Sequence, residues 1–203
     1  RTVSVEYLIV ILYQKQGKRI NMRRLKRILM VLIGLIAVLL IVALFIPEQT
    51  VVIRKIVIDR NQTEVFDYVK YLENQEKYGV WWKADPNMKI TAYGTDGSVG
   101  YIHAWKSTDD NVGEGQQKII SLHEDSTSGK MEIELKFIKP FKSNNPSYMS
   151  TESVSRNSTK VTWAITNNMP YPMNLLGAVM NMEKMLGDDL EQGLKNLKVI
   201  LEK

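Results

Sequence analysis

Residues Val179 to Leu201 read VMNMEKMLGDDLEQGLKNLKVIL, and one apolar stripe runs through this segment. The stripe has spacings of 3, 4, 4, 4, 3 and 4 residues, and its members are Val179, Met182, Leu186, Leu190, Leu194, Leu197 and Leu201. Because an α-helix completes a turn in about 3.6 residues, this spacing places all of them on one helix face. The sequence therefore predicts a long amphipathic helix at the end of the chain, with one face that must be buried.

Alternation of apolar and polar residues dominates the sequence before this helix, which is typical of half-buried strands. A first strand is predicted at 51–59, and residues 61–72 carry the capping residues and the apolar stripe of a short helix. Six further strands are predicted, at 88–93, 98–106, 115–124, 130–137, 147–153 and 160–166. A curved antiparallel sheet wrapped around the C-terminal helix buries the apolar faces of both, so we expect this α+β fold.

A second apolar segment lies near the N-terminus and differs from the first because it has no polar face. Residues 28–46 read ILMVLIGLIAVLLIVALFI, nineteen apolar residues that follow directly on Arg23, Arg24, Lys26 and Arg27. A helix of this length extends about 28 Å, close to the thickness of the hydrocarbon core of a bilayer. A buried core helix of the same length normally shows a polar side. We therefore predict a transmembrane helix over 28–46.

The charge distribution divides the chain at this helix. Residues 1–27 carry eight basic residues and one acidic residue, a net +7, while the remaining 19 basic and 21 acidic residues give −2. Basic flanks stay cytoplasmic, so we expect the domain over 47–203 to lie outside the cytoplasm, in a bacterial envelope. A cleaved signal peptide is the alternative, although residues 43–47 lack a small-x-small cleavage pattern. Residues 1–21 are expected not to be native coding sequence, since Met22 begins a typical anchor.

The composition excludes several kinds of site. The chain has no cysteine and two histidines, which argues against disulfides, a thiol nucleophile and a transition-metal site. No nucleotide-binding, α/β-hydrolase or zinc-protease motif occurs in the sequence. The domain after the apolar segment is slightly acidic and its basic residues are dispersed, which argues against nucleic-acid binding. We expect no metal and no cofactor.

Several short motifs follow one another along the domain in a characteristic order. They are residues 61–69 (NQTEVFDYV), 78–82 (YGVWW) with Asp85 and Pro86, 99–101 (VGY) with Trp105, 113–115 (GEG), 159–163 (TKVTW) and 193–198 (GLKNLK). In this order they resemble the SRPBCC superfamily of START-related, pollen-allergen-like and polyketide-cyclase-like helix-grip domains, over about residues 50–203. Trp81 and Trp82 are adjacent in this sequence, whereas two residues separate the tryptophans in the corresponding motif of that superfamily. Members with an N-terminal anchor form a bacterial subgroup.

The resemblance implies a cavity between the sheet and the long helix that holds lipids, sterols, polyketides or other apolar ligands. Aromatic residues and methionines on the predicted inner faces are the candidates for its lining, because they combine apolar surface with a few polar atoms. The candidate lining residues are Trp81, Trp82, Tyr93, Tyr101, His103, Trp105, Leu135, Phe137, Trp163 and Met182. Plain core packing is the alternative interpretation of the same residues.

His103 is the candidate general base, because it is the one titratable group within an aromatic strand face. A buried or surface histidine without catalytic function is the alternative, so we predict no catalytic residue beyond this weak candidate.

Three hypotheses follow for the function. The first is a membrane-tethered, non-catalytic domain that binds a hydrophobic small molecule or lipid, with the membrane as its constant partner. The second is an enzyme of the polyketide cyclase or aromatase kind that uses His103 with Tyr101 or Tyr93. The third is an envelope interaction module or stress accessory protein whose protein partner the sequence does not identify. Fold alone does not decide among them.

Overall fold

The structure is a computed structural model that describes residues 22–109, 112–139 and 141–203. The expectation for residues 1–21 therefore lies outside the described residues. The chain divides into two compact units, one ending at Phe45 and the other running from Ile46 to Lys203.

Helix α1 (Met22–Ala43) contains residues 28–43 of the segment predicted to cross a membrane. The prediction of 28–46 was too long at its end, because the chain leaves the helix in a turn in which Leu44 N donates to Ile41 O and Phe45 N to Val42 O. Among the described residues, α1 is the one helix long and apolar enough for a span, at Arg23–Ala43, and none of its most apolar stretch is buried. Core helices of soluble proteins are mostly buried, whereas membrane spans and signal sequences share the features of α1.

Seven antiparallel strands form one sheet in the order β1-β7-β6-β5-β4-β3-β2. The strands are β1 (Gln49–Ile58), β2 (Lys89–Tyr93), β3 (Ile102–Lys106), β4 (Glu114–Glu124), β5 (Ser128–Lys139), β6 (Ser143–Ser155) and β7 (Ser158–Asn168). All seven predicted strands are present, so the predicted helix-grip fold is confirmed. Because β1 pairs with β7, the first and last strands of the domain are neighbours.

Four helices accompany the sheet in this domain. They are α2 (Gln62–Val69), α3 (Gln75–Tyr78), α4 (Asn174–Val179) and α5 (Met182–Leu201), with 3₁₀ turns at Leu72–Asn74 and Trp81–Lys83. Asn61 caps α2, because its Oδ1 accepts a hydrogen bond of 2.9 Å from the backbone N–H of Glu64.

The apolar stripe of α5 packs against the sheet, as the spacing predicted. Leu190, Leu194, Leu197 and Leu201 are buried in one core together with Trp163 of β7. Burial of each such leucine stabilises the fold by about 1.5–3 kcal/mol. Gly193 brings the helix close to the sheet, since a Cβ at this position would lie 2.8 Å from the Trp163 ring.

The start of the long helix differs from the prediction. Helix α5 begins at Met182, because Asn181 adopts a left-handed conformation with φ of 50° and caps the helix through its side chain, which accepts from Lys184 N. Val179 belongs instead to α4 and is 77% exposed. The predicted stripe was therefore too long by its first member.

Candidate functional site

A pocket of about 210 Å³ lies where β1 begins and β7 ends, against α4 and the first turn of α5. It is thus at one end of the space between the sheet and the long helix. Its lining consists of Ile46, Pro47, Glu48, Thr50, Asn167, Met169, Asn174, Gly177, Ala178, Asn181, Met182 and Glu183.

The lining combines apolar surface with amide groups and no positive charge. Ile46, Pro47, Met169 and Met182 provide the apolar part, and three asparagines (167, 174 and 181) provide amides. The charged members are both acidic, and each has a partner elsewhere. Glu48 accepts from the backbone N–H of Tyr171 at 3.1 Å, and Glu183 pairs with Arg54 at 3.2 Å. An apolar group with a neutral hydrogen-bonding end fits such a lining.

Three hydrogen bonds hold one wall of the pocket to the start of the domain. The backbone N–H of Met169 donates to Glu48 O at 2.8 Å, and Tyr171 N–H donates to the Glu48 carboxylate at 3.1 Å. Asn174, which is 3% exposed, donates from Nδ2 to Ile46 O at 2.8 Å. Residues 169–174 are therefore fixed to residues 46–48, where β1 begins.

Helix α4 approaches this wall closely because residue 177 is a glycine. A Cβ on Gly177 would lie 2.5 Å from Met169 Sδ. The pocket's shape thus depends on one small residue and on the position of one flexible thioether.

The sequence-predicted site residues fall into two places. Met182 lines the pocket. Seven of the other candidates make ring contacts with one another, five of them in one chain (Tyr101, His103, Trp82, Trp105 and Phe137) and two as a separate pair (Trp81 and Trp163). Along the chain of rings the centroids are 6.4 Å apart for Tyr101 and His103, 4.8 Å for His103 and Trp82, 5.9 Å for Trp82 and Trp105, and 5.6 Å for Trp105 and Phe137. The centroids of Trp81 and Trp163 are 5.8 Å apart. Leu135 packs against the core, and Tyr93 is 61% exposed. The pocket and the aromatic group are therefore separate sets of residues.

His103 is completely buried within the aromatic group. Its Nε2 lies 2.9 Å from Glu76 Oε1, while its Nδ1 and the neighbouring Trp82 Nε1 have no hydrogen-bond partner. The carboxylate of Glu76 reaches solvent, with 41% of its side chain exposed. This geometry orients the imidazole, and its use as a general base stays a prediction.

Two further acidic residues hold aromatic side chains of this group. Tyr101 donates to Glu73 at 2.8 Å; burial raises the pKa of its phenol, and the hydrogen bond raises it further. Trp81 Nε1 donates to Asp189 of α5 at 3.1 Å. Burial raises the pKa of Asp189, and the Trp81 hydrogen bond opposes that shift. These two carboxylates therefore fix the positions of Tyr101 and Trp81 through hydrogen bonds.

Sequence reasoning did not identify most of the pocket. Its amides lie in a segment without a single charged residue, from Val161 to Met182, in which asparagine recurs at 167, 174 and 181. The long stretch without charge is therefore the feature of the sequence that could have indicated the pocket. Among the described residues, no group of three or more His, Asp or Glu side chains is placed to hold a metal ion.

Known proteins resemble this chain in structure and not detectably in sequence. No protein-family model matches the chain, and no curated protein matches it significantly. Norcoclaurine synthase from Thalictrum flavum, in complex with dopamine and hydroxybenzaldehyde, has a TM-score of 0.55 and 10% identity, over 75% of this chain and 86% of that chain.

A hypothetical protein from Helicobacter pylori has a TM-score of 0.56 and 9% identity, over 74% of this chain and 87% of its own. A truncated norcoclaurine synthase from Thalictrum flavum has a TM-score of 0.54 and 11% identity, over 76% of this chain and 95% of its own. At such identities these similarities establish the helix-grip fold of residues 46–203 and leave the activity open.

Proposed function

We propose that this chain is a membrane-anchored helix-grip domain that binds an apolar small molecule, or the end of one lipid chain, without catalysis. The observation that carries the proposal is the pocket between β1, β7, α4 and α5, with its apolar and amide lining.

The size of the pocket limits what it binds. At about 210 Å³ it is below the range of about 300–1,000 Å³ that is usual for small-molecule sites. It suits a short apolar molecule or part of a longer chain. Met169 and Met182 extend this range, because unbranched methionine side chains change rotamer at low cost.

The charges of the pocket select the polar end of the ligand. The lining residues include no Lys or Arg, and Arg54 nearby is already paired with Glu183. A carboxylate or phosphate inside the pocket would therefore face the Glu48 carboxylate with no lining cation to pair with. The amides of Asn167 and Asn181 suit a hydroxyl, ester or amide group instead. A neutral polar end on an apolar body is therefore the preferred ligand chemistry.

The anchor would hold the pocket close to a membrane, which contains apolar molecules at high concentration. The basic residues at 23–27 and the uncharged, unburied part of α1 that follows them support a membrane span with the domain outside the cytoplasm. Ile46, the first pocket residue, follows Ala43 by three residues, a reach of about 10 Å at most. A tether this short keeps the concentration of membrane-borne ligands near the pocket high.

The structural neighbours add support at the level of the fold. A norcoclaurine synthase structure of this fold is a complex with dopamine and hydroxybenzaldehyde, two small aromatic molecules. The same fold therefore accommodates small molecules in another protein.

Native mass spectrometry of the full chain, extracted in detergent, tests the proposal. We expect a co-purifying molecule at one per chain, which is lost in the pocket-filling variant Met182→Trp. Val199→Trp, an even larger increase in side-chain size at an exposed position of α5, should retain it. The same amount of bound molecule in all three proteins, or no bound molecule in any of them, would contradict ligand binding in this pocket.

Catalysis by His103 is the second candidate, and the orienting contact with Glu76 favours it. A catalytic imidazole must be reached by its substrate. Diethyl pyrocarbonate modification measures that access, and His123, which is exposed, serves as the internal reference. Catalysis requires that His103 is modified in the folded protein, and modification of His123 alone would argue against it.

A further inference from the structure

The segment after β7 exposes an apolar patch to solvent. The patch consists of Tyr171, Leu176, Val179, Met180 and Met185, with exposed fractions of 41, 40, 77, 52 and 46%. Isolated exposed apolar side chains are ordinary, whereas five in one short segment indicate a surface that another apolar phase covers.

Most of this apolar patch lies in a part of the sequence that has no charged residue. Its first four members lie within the charge-free segment from Val161 to Met182. Glu183 and Lys184 are the first charged residues after it, and both are paired, with Arg54 and Asp188 respectively. A protein partner is normally oriented by charged groups around such a patch, and the charges that follow this segment are already engaged in these two pairs.

The hydrogen bonds of the pocket wall place the patch beside the start of the domain. Residues 169–174 are bonded to Ile46 and Glu48, and Ile46 follows the end of α1 by three residues. A span through α1 would therefore bring the patch to the same membrane.

We infer that the apolar patch inserts into the interfacial layer of the bilayer that α1 crosses. This inference rests on the anchor in the proposed function. Tyr171 suits the boundary between headgroups and acyl chains, and Leu176, Val179 and Met180 supply the apolar area. The patch contains no basic residue, so its insertion is apolar and does not depend on anionic lipids.

Insertion of the patch also gives the pocket access to lipid. Gly177 and Ala178 of α4 line the pocket, while Leu176 and Val179 on either side of them belong to the patch. The same short helix thus separates the pocket from the proposed bilayer surface. Apolar molecules would enter from the membrane without crossing water.

The absence of cysteine from the chain makes this inference directly testable. Single-cysteine variants of the full chain carry a nitrobenzoxadiazole label in phosphatidylcholine vesicles, with doxyl quenchers at shallow and deep acyl positions. Val179→Cys reports the patch and Leu35→Cys reports the middle of α1. Val199→Cys, also exposed and about 25 Å further along α5 than Met182, is the matched control.

We expect shallow quenchers to reduce the fluorescence of the label at 179, deep quenchers that of the label at 35, and neither that of the label at 199. The loss at 179 should be the same in high salt. If 35 is quenched while 179 behaves like 199, insertion of the patch is wrong and the anchor stands. If 35 is not quenched, the anchor is wrong, and the inference falls with it.

Discussion

The two halves of helix α5 have opposite surroundings. The C-terminal half buries Leu194, Leu197 and Leu201 among core side chains, and Leu190, just before this half, is buried with them. The N-terminal half begins at Met182 beside an open pocket and next to exposed apolar residues. The comparison indicates that the C-terminal part of the helix stabilises the core, while its first turn contributes less to it. Substitutions in the two halves should therefore differ in their effect on stability.

The largest effect is expected for Trp163→Ala, in the filled half. The Trp163 ring contacts Tyr78 and Trp81 edge-on at 5.8 Å each and lies over Gly193. Its removal leaves a cavity that should lower the free energy of unfolding by about 3–5 kcal/mol. Val154→Ala, at an exposed position of β6, should change it by less than about 0.5 kcal/mol. Chemical denaturation of both variants measures the difference, and a similar loss in both would contradict a core around Trp163.

Glycine-to-alanine changes in the two regions form a matched pair. In Gly193→Ala the new Cβ would lie 2.8 Å from the packed ring of Trp163, so we expect a loss of about 1–3 kcal/mol. In Gly177→Ala it would meet the Met169 thioether, a flexible end that can move, and the loss should be smaller. Unfolding midpoints of the two variants provide the comparison. Equal losses would mean that the pocket end is packed as rigidly as the core.

A smaller effect is expected at the start of α5. Asn181→Ala removes the side-chain cap and places alanine at a φ of 50°, which should cost about 1 kcal/mol. Asn181→Gly keeps the left-handed conformation accessible and should cost only a few tenths of a kcal/mol. Thermal unfolding of the two variants distinguishes them, and an equal cost would show that the conformation of residue 181 does not limit the helix start.

The smallest effect is a pH dependence at the other end of α5. Glu202 accepts from the backbone N–H of Asp59 at 2.6 Å, and this bond holds the pKa of its carboxyl below the ordinary 4.5. A depressed pKa in the folded state gives stability that is present above pH 4.5 and is lost as the pH falls through the folded value. Glu202→Gln should therefore lose stability less steeply below about pH 4.5. If the free energy of unfolding falls equally in both proteins below pH 4.5, Glu202 makes no such contribution.

The elements with strong periodicity were predictable from the sequence. Tyr101, directly before β3, and His103 and Trp105 within it are all buried, as a period of two requires. Val99 does not continue this face, because Gly100, at a φ of 94°, ends the alternation before the strand begins. Such a backbone change has no signature in the apolar pattern.

The pocket was beyond sequence reasoning for a different reason. Its volume depends on hydrogen bonds such as that from Asn174 to Ile46, which joins positions 128 residues apart. Apolar patterns predict which residues are buried, and they do not predict how closely two distant segments approach. Met182 lines this pocket, and it was a candidate because the helix stripe includes it.

The pairing of β1 with β7 determines when the domain can be completed during synthesis. Gln49 has Asn168 as its partner and Ile58 has Thr159. About a hundred further residues must therefore be synthesised before β1 can form its backbone hydrogen bonds with β7. Helix α5, which covers β1, is made later still. Long-range closure of this kind slows folding and leaves an unpaired strand edge exposed in the meantime. A nascent chain interrupted before β7 would carry that edge without its neighbour.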